Sequence, residues 1–197
     1  SFDRIAGAVD EISGLEAERP LTVSVTVAFA SLWLMRRLPD LRARTGLSLA
    51  VEADNRPADL SGAGVDFAVR YALQAAPEGR WLPLFEDRLI PVCAPDLLRR
   101  HPVEADADIL RLPLIAYRWT QDAEASPSWR RWSREAGLGG AAPEAAQHFS
   151  EEITAMDAAL AGQGAALASS VLAGAALADG RLARLSEADL PGRTFWA

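Results

Sequence analysis

Asp59-Leu60-Ser61-Gly62-Ala63-Gly64-Val65-Asp66-Phe67-Ala68-Val69-Arg70-Tyr71 carries the strongest fold signal of the chain. A glycine turn delivers an acid, then a short apolar run that ends on an arginine and a tyrosine. Side chains alternate along a strand, so Phe67 and Val69 share one face and Ala68 and Arg70 the other. Both faces carry apolar residues, which predicts a buried parallel strand over residues 65–71. Its two terminal charges fall where loops meet a ligand, yet Asp66 and Arg70 read first as structural, pairing at the sheet edge.

A strand-and-helix rhythm continues on both sides of it. Phe2, Ile5, Val9, Ile12 and Leu15 recur at helical spacing. Residues 21–26 alternate as a strand, and residues 28–41 are helical in composition, with Pro39 set to bend or restart the helix. Thr45-Gly46 closes it, and residues 47–53 form the next strand. Strand, helix, strand, helix, strand is the pattern of a parallel sheet with crossover helices. Residues 81–92 read as extended, followed by a short helix from Ala94 to Leu98.

A second set follows: a strand over 113–118, a helix begun by Ser126-Pro127 that carries Trp129 and Trp132 on one face, and a strand over 145–149. A helix from Ser150 to about Gly162 leads to a strand over 164–169, a helix over 171–178 and strands over 181–185 and 193–196. Trp129 and Trp132 read as core anchors, and Trp33 as serving either the core or a dimer interface. Two α/β halves without a flexible linker suggest two facing subdomains. In open parallel sheets ligands bind beyond the carboxyl ends of strands, where helix N-termini arrive. Residues 26–30 and 149–152 are two such places.

Composition narrows the function. The chain has 197 residues and a formal net charge of −7, and every fully charged basic side chain is arginine. An acidic balance without a basic face argues against nucleic-acid binding by this piece alone. The lone Cys93 excludes an intrachain disulfide or a multi-thiolate metal site, and His101 and His148 lack ligand spacing. No metal and no cofactor are expected. Residues 1–20 do not read as a signal peptide, and no apolar run is long enough to span a membrane. A cytoplasmic setting without membrane contact is the expectation. Cys93 has no histidine partner, Ser169-Ser170 sit in no elbow motif, and no phosphate-cradling glycine loop occurs, so catalysis is not expected.

Several blocks in order carry a resemblance. Val25-Thr26-Val27-Ala28-Phe29-Ala30 with Leu32-Trp33-Leu34-Met35, then Asn55-Arg56, Asp59-Leu60 and residues 64–71, form its first part. Leu89-Ile90-Pro91-Val92-Cys93-Ala94-Pro95, Trp129 and Trp132, Gly162 with Gly164-Ala165-Ala166-Leu167, and Phe195-Trp196 complete it. Together they resemble the effector-binding domain of LysR-type transcriptional regulators, most closely the branch of glycine-cleavage and β-lactamase activators. The resemblance implies an α/β, periplasmic-binding-protein-like (type 2) fold: two Rossmann-like subdomains with a ligand cleft between them. Residues 1–19 would be the end of a linker helix, 20–94 with about 181–197 the first subdomain, and about 95–180 the second. Promoter DNA would be met only through an N-terminal winged helix-turn-helix outside this chain, and the family's last helix would lie past Ala197.

The resemblance also implies a small-molecule effector and a homodimer or homotetramer. Candidate effector contacts are Thr26, Val27 and Ala28 after the first strand, and Asp54, Asn55 and Asp59 after the second, with Ala58 replacing Asp59 if the match slips by one. Thr26 equally suits a plain helix cap, and the Asp and Asn residues suit turn chemistry. The branch expects a hydroxyl where Ala28 stands, and Val27 makes that corner more apolar. Tyr117 and Arg118 end a strand, and an arginine there can hold a carboxylate in a bidentate fork. Ser150 and Glu151 open a helix, where capping and dipole effects also suit them; an acid there favours an amine or hydroxyls. Phe195 is core by position, and the resemblance places its ring near the pocket. The inducer would shift subdomain populations and so dimer or tetramer geometry and DNA bending. The helices with Trp33-Leu34 and Met156-Leu160 would pack between copies. A transport solute-binding protein is the alternative.

Overall fold

The computed structural model describes residues 20–56, 64–77, 79–118 and 126–197. The expected helix over residues 2–15, the Asp59 and Ala58 positions and the turn at Ser61 to Ala63 lie outside the described residues. The chain divides into two compact units, one of Ser1–Asp87 with Arg193–Ala197 and one of Arg88–Gly192. The changes of unit fall within two strands.

In the first unit, β1 (Leu21–Val25) lies between β2 (Leu49–Ala53) and β3 (Phe67–Ala72), parallel to both. Val23, Val25, Phe67, Ala68 and Val69 are buried, so β3 is covered on both faces as its apolar run predicted. The expected Asp66–Arg70 pair does not form. Asp66 instead accepts the Thr22 amide at 2.7 Å, while Arg70 reaches the neighbouring strand at Ser24. The end of β9 (Leu190–Trp196) returns antiparallel to β3 and sets Tyr71 opposite Phe195.

The helical segment after β1 is not continuous. It comprises α1 (Val27–Phe29), a π-helical turn (Ala30–Leu34) and α2 (Leu38–Thr45), with Pro39 in the first turn of α2. Proline lacks the amide that a helix interior needs but suits a first turn, so the helix restarts there. Gly46 ends it at φ 71°, a left-handed conformation that glycine adopts without a Cβ clash. Phe29, Trp33, Tyr71, Phe85 and Phe195 form the aromatic core, with Phe29 stacked on Trp33 at 5.0 Å. Trp33 and Leu34 are both buried, so Trp33 serves the core; Met35 is the large apolar side chain that this segment exposes.

In the second unit, β5 (Leu114–Tyr117) lies between β6 (Gln147–Phe149) and β7 (Ala165–Ser169), parallel to both, and β7 pairs antiparallel with β4 (Pro83–Cys93). The strand expected over 181–185 is the short β8 (Ala183–Arg184), also on β4. The helices are α3 (Pro95–Arg100), α4 (Asp106–Ile109), α5 (Trp129–Glu135), α6 (Glu152–Leu160) and α7 (Ser170–Ala178). The four-residue α4 is too short to leave a periodic signal. Ser128, not Ser126, caps α5 by accepting the Arg131 amide at 3.2 Å.

Trp129 and Trp132 meet edge to face at 5.6 Å and anchor the core with Leu89, Cys93, Leu97 and Leu167. Each indole N–H finds a carbonyl, Trp129 that of Ile115 and Trp132 that of Ala188, both at 2.9 Å. That satisfaction lets two polar-tipped rings be buried without an orphaned donor. Met156 is buried as well, so the inward face of α6 is core.

Candidate functional site

In the first unit the carboxyl ends of β1 and β2 bring Thr26, Val27, Ala28, Asp54 and Asn55 together. Asp54 N–H donates to Val25 O at 2.9 Å, extending the ladder by one residue. Asn55 Oδ1 accepts the Val27 amide at 3.1 Å, and Thr26 Oγ1 accepts the Phe29 amide at 3.4 Å. The opening amides of α1 are thus capped from two directions, and Thr26 has its expected cap role. The loop after β2 is pinned to the start of α1 by one side chain.

Asp54 is committed locally. It accepts the Arg56 amide at 2.8 Å and the Arg56 guanidinium at 2.6 Å. These bonds hold its carboxyl well below the ordinary range, at about 2, while Asp54 raises Arg56. Turn chemistry therefore accounts for Asp54. Beneath this corner Arg70 donates to Ser24 O at 2.8 Å, Ser24 Oγ at 2.7 Å and Arg56 O at 3.3 Å. Burial lowers its pKa, and Asp54 opposes that shift. Ser24 and Arg70 therefore belong to the frame of this corner. The sequence signal for Ser24 was a polar residue inside an otherwise buried strand.

Phe195 is 2% exposed, between Phe29 at 5.2 Å and Tyr71 at 4.6 Å. Its ring is part of the aromatic core behind α1. Tyr71 adds a polar node that sequence reasoning missed: its hydroxyl donates to the buried Asp87 at 3.0 Å and accepts the Arg193 amide at 2.9 Å.

In the second unit the carboxyl ends of β5 and β6 carry the other candidates. Tyr117 is buried and pairs in register with Phe149, while Arg118 is exposed just beyond the strand. Ser150 is exposed and Glu151 holds the N-cap position of α6, without bonding an amide of that helix through its side chain. Helix α6 begins at Glu152, so of the two residues expected to open it Glu151 takes the cap position and Ser150 lies before it; Thr154 Oγ1 donates to Glu151 O at 2.8 Å. The neighbouring Glu152 turns inward and accepts the Ser169 amide at 3.1 Å. Ser169 in turn caps α7 through Leu172.

Among the described residues no group of His, Cys, Asp and Glu is arranged to hold a metal ion, and no helix is long and apolar enough to cross a membrane. Cys93 is fully buried, and burial pushes its thiol up to about 11, away from a reactive thiolate.

Comparison with known proteins gives a consistent picture. The family model for the LysR substrate binding domain matches residues 15–197. The HTH-type transcriptional activator AmpR of Pseudomonas aeruginosa is 30% identical over 199 residues, covering 100% of this chain and 64% of that protein. The glycine cleavage system transcriptional activator of Escherichia coli is 30% identical over 183 residues, covering 92% of this chain and 58% of that protein. The chain thus spans under two thirds of the length of either. The X-ray structure of the effector domain of AmpR from Pseudomonas aeruginosa superposes with a TM-score of 0.71 at 27% identity, covering 90% of this chain and 84% of that one. The AmpR effector binding domain from Citrobacter freundii gives 0.72 at 24% identity, over 91% and 86% of the two chains. The architecture is the mixed α/β, periplasmic-binding-protein-like type 2 fold.

Proposed function

The chain belongs to the LysR substrate binding domain family, and on that premise we propose that it is the ligand-sensing domain of a bacterial transcriptional regulator. It binds a small-molecule effector in a cleft between its two subdomains, with one wall from the Thr26–Ala28 and Asn55 corner and Asp59, and the other from Tyr117, Arg118, Ser150 and Glu151. The observation that carries this reading is the matching polar construction of the two units. Each ends its parallel strands at a helix start, which is where open α/β sheets place ligands.

The effector favours one arrangement of the subdomains and so shifts the geometry of a homodimer or homotetramer, which acts on promoter DNA through a separate DNA-binding domain. The setting is cytoplasmic, and the domain is a sensor rather than an enzyme. The relatives named above are transcriptional activators, which favours a regulator over a transport solute-binding protein. Thermal-shift screening with small metabolites, followed by Asp59→Ala and Ser150→Ala, tests the site. A stabilising metabolite should lose its effect in both variants; stabilisation that survives both would remove the cleft assignment.

A further inference from the structure

The helical segment after β1 changes its hydrogen bonding within one turn. Ala30 N–H bonds Thr26 O at 2.9 Å, four residues back, whereas Met35 N–H bonds Ala30 O at 3.0 Å, five residues back. The turn between them therefore holds one residue more than an α-turn does. Both of its ends are anchored. Asn55 Oδ1 accepts the Val27 amide at the start. At the far end Trp33, 4% exposed, stacks on Phe29 and packs against Phe85 at 5.2 Å.

Arg37 meets this turn twice. A continuing α-helix would give the Arg37 N–H to Trp33 O. Here that amide bonds Leu34 O at 2.8 Å, and the Arg37 guanidinium donates to Trp33 O at 3.0 Å in its place. The same guanidinium lies over the Trp33 ring, 4.2 Å from its centroid. One side chain thus serves both the carbonyl and the ring of the residue that carries the turn into the core.

We propose that Arg37 is a positioning residue for the first-unit corner: its double hold on Trp33 keeps the extra residue in the π-turn and so sets the pitch at which α1 presents Thr26, Val27 and Ala28. Without that hold the turn relaxes to α-pairing, which shifts one end against the other by about 100° and about 1.5 Å. Trp33 is fixed by the aromatic core, so the movement falls on α1. The consequence for sensing rests on the effector reading above; the hold on the turn does not.

The test needs no ligand. Scalar couplings across hydrogen bonds, read by NMR on the 197-residue chain, identify the acceptor of Met35 N–H directly. Wild type should pair it with Ala30 and Arg37→Ala with Ser31. Arg37→Lys keeps a cation and a donor, so it should restore the Ala30 pairing. In Arg37→Ala the Val27 amide should exchange about tenfold faster as it parts from Asn55, while the Val23 and Val25 amides keep their wild-type rates. Ala30 pairing kept in Arg37→Ala, Val27 exchange unchanged or quickened no more than that of Val23 and Val25, or Arg37→Lys behaving as Arg37→Ala would overturn the proposal. A chain that binds no metabolite would remove the sensing reading and leave these results standing.

Discussion

Asn55 Oδ1 accepts the backbone N–H of Val27 at 3.1 Å, joining the loop after β2 to the first amide of α1. A helix N-terminus has donors with no intrahelical partner, and a side-chain oxygen that meets one contributes about 1 kcal/mol. Asn55→Ala should therefore lower the melting temperature by about 2–4 °C. Asn55→Asp keeps the acceptor and should recover most of the loss. Calorimetry of the two variants checks this.

Asp54 gives a pH signature of the same corner. Its partner Arg56 holds the carboxyl at about 2, from an ordinary 3.8. A carboxyl depressed on folding contributes stability that is present above about pH 4 and is lost as the pH falls through about 2. The pair is exposed, so the contribution is small. NMR titration of the Asp54 carboxyl should show the low midpoint in wild type and a return toward the ordinary value in Arg56→Gln.

Much of the fold was legible because apolar runs and turn residues agreed. Leu21–Val25, Phe67–Ala72 and Ala165–Ser169 read as strands, since apolar runs bounded by polar or glycine residues leave little alternative. The break at residues 35–37 was not legible, because Pro39 marks a restart without saying where the preceding helix stops. The Ser128 cap was missed for Ser126 because two serines flank one proline and only the backbone selects between them. Among site residues the sequence could place side chains at strand ends but could not see commitments. That Asp54 is taken by Arg56, and that Arg70 turns to Ser24 rather than Asp66, depends on side-chain directions that spacing does not encode.

Cys93 lies in the second core with its thiol pushed from 9.0 up to about 11 by burial. A group raised in this way favours the folded state below about pH 9, and that contribution is lost as the pH climbs toward 11. Ellman's reagent at pH 8 should leave the native thiol unmodified over hours and titrate one thiol per chain in denaturant. Rapid native labelling would show that this core opens.

Two glycines should respond in opposite directions. A Cβ on Gly164 would run into the Pro113 carbonyl oxygen and lie 3.0 Å from Ile115 Cγ1, whereas one on Gly174 in α7 meets nothing within 4 Å. Gly164→Ala should cost about 1–3 kcal/mol through overpacking of backbone on side chain. Gly174→Ala should add about 0.5–1 kcal/mol through helix propensity and lower chain entropy. Chemical denaturation of both variants reads the contrast directly.

An effector bound as proposed would touch both units. Once a stabilising metabolite is found, its affinity is measured by titration calorimetry for wild type, for Thr26→Val in the first unit and for Arg118→Ala in the second. Each substitution should weaken binding about threefold to tenfold, as expected for the loss of one polar contact. Binding weakened by changes in only one unit, and unaltered by the other, would contradict it.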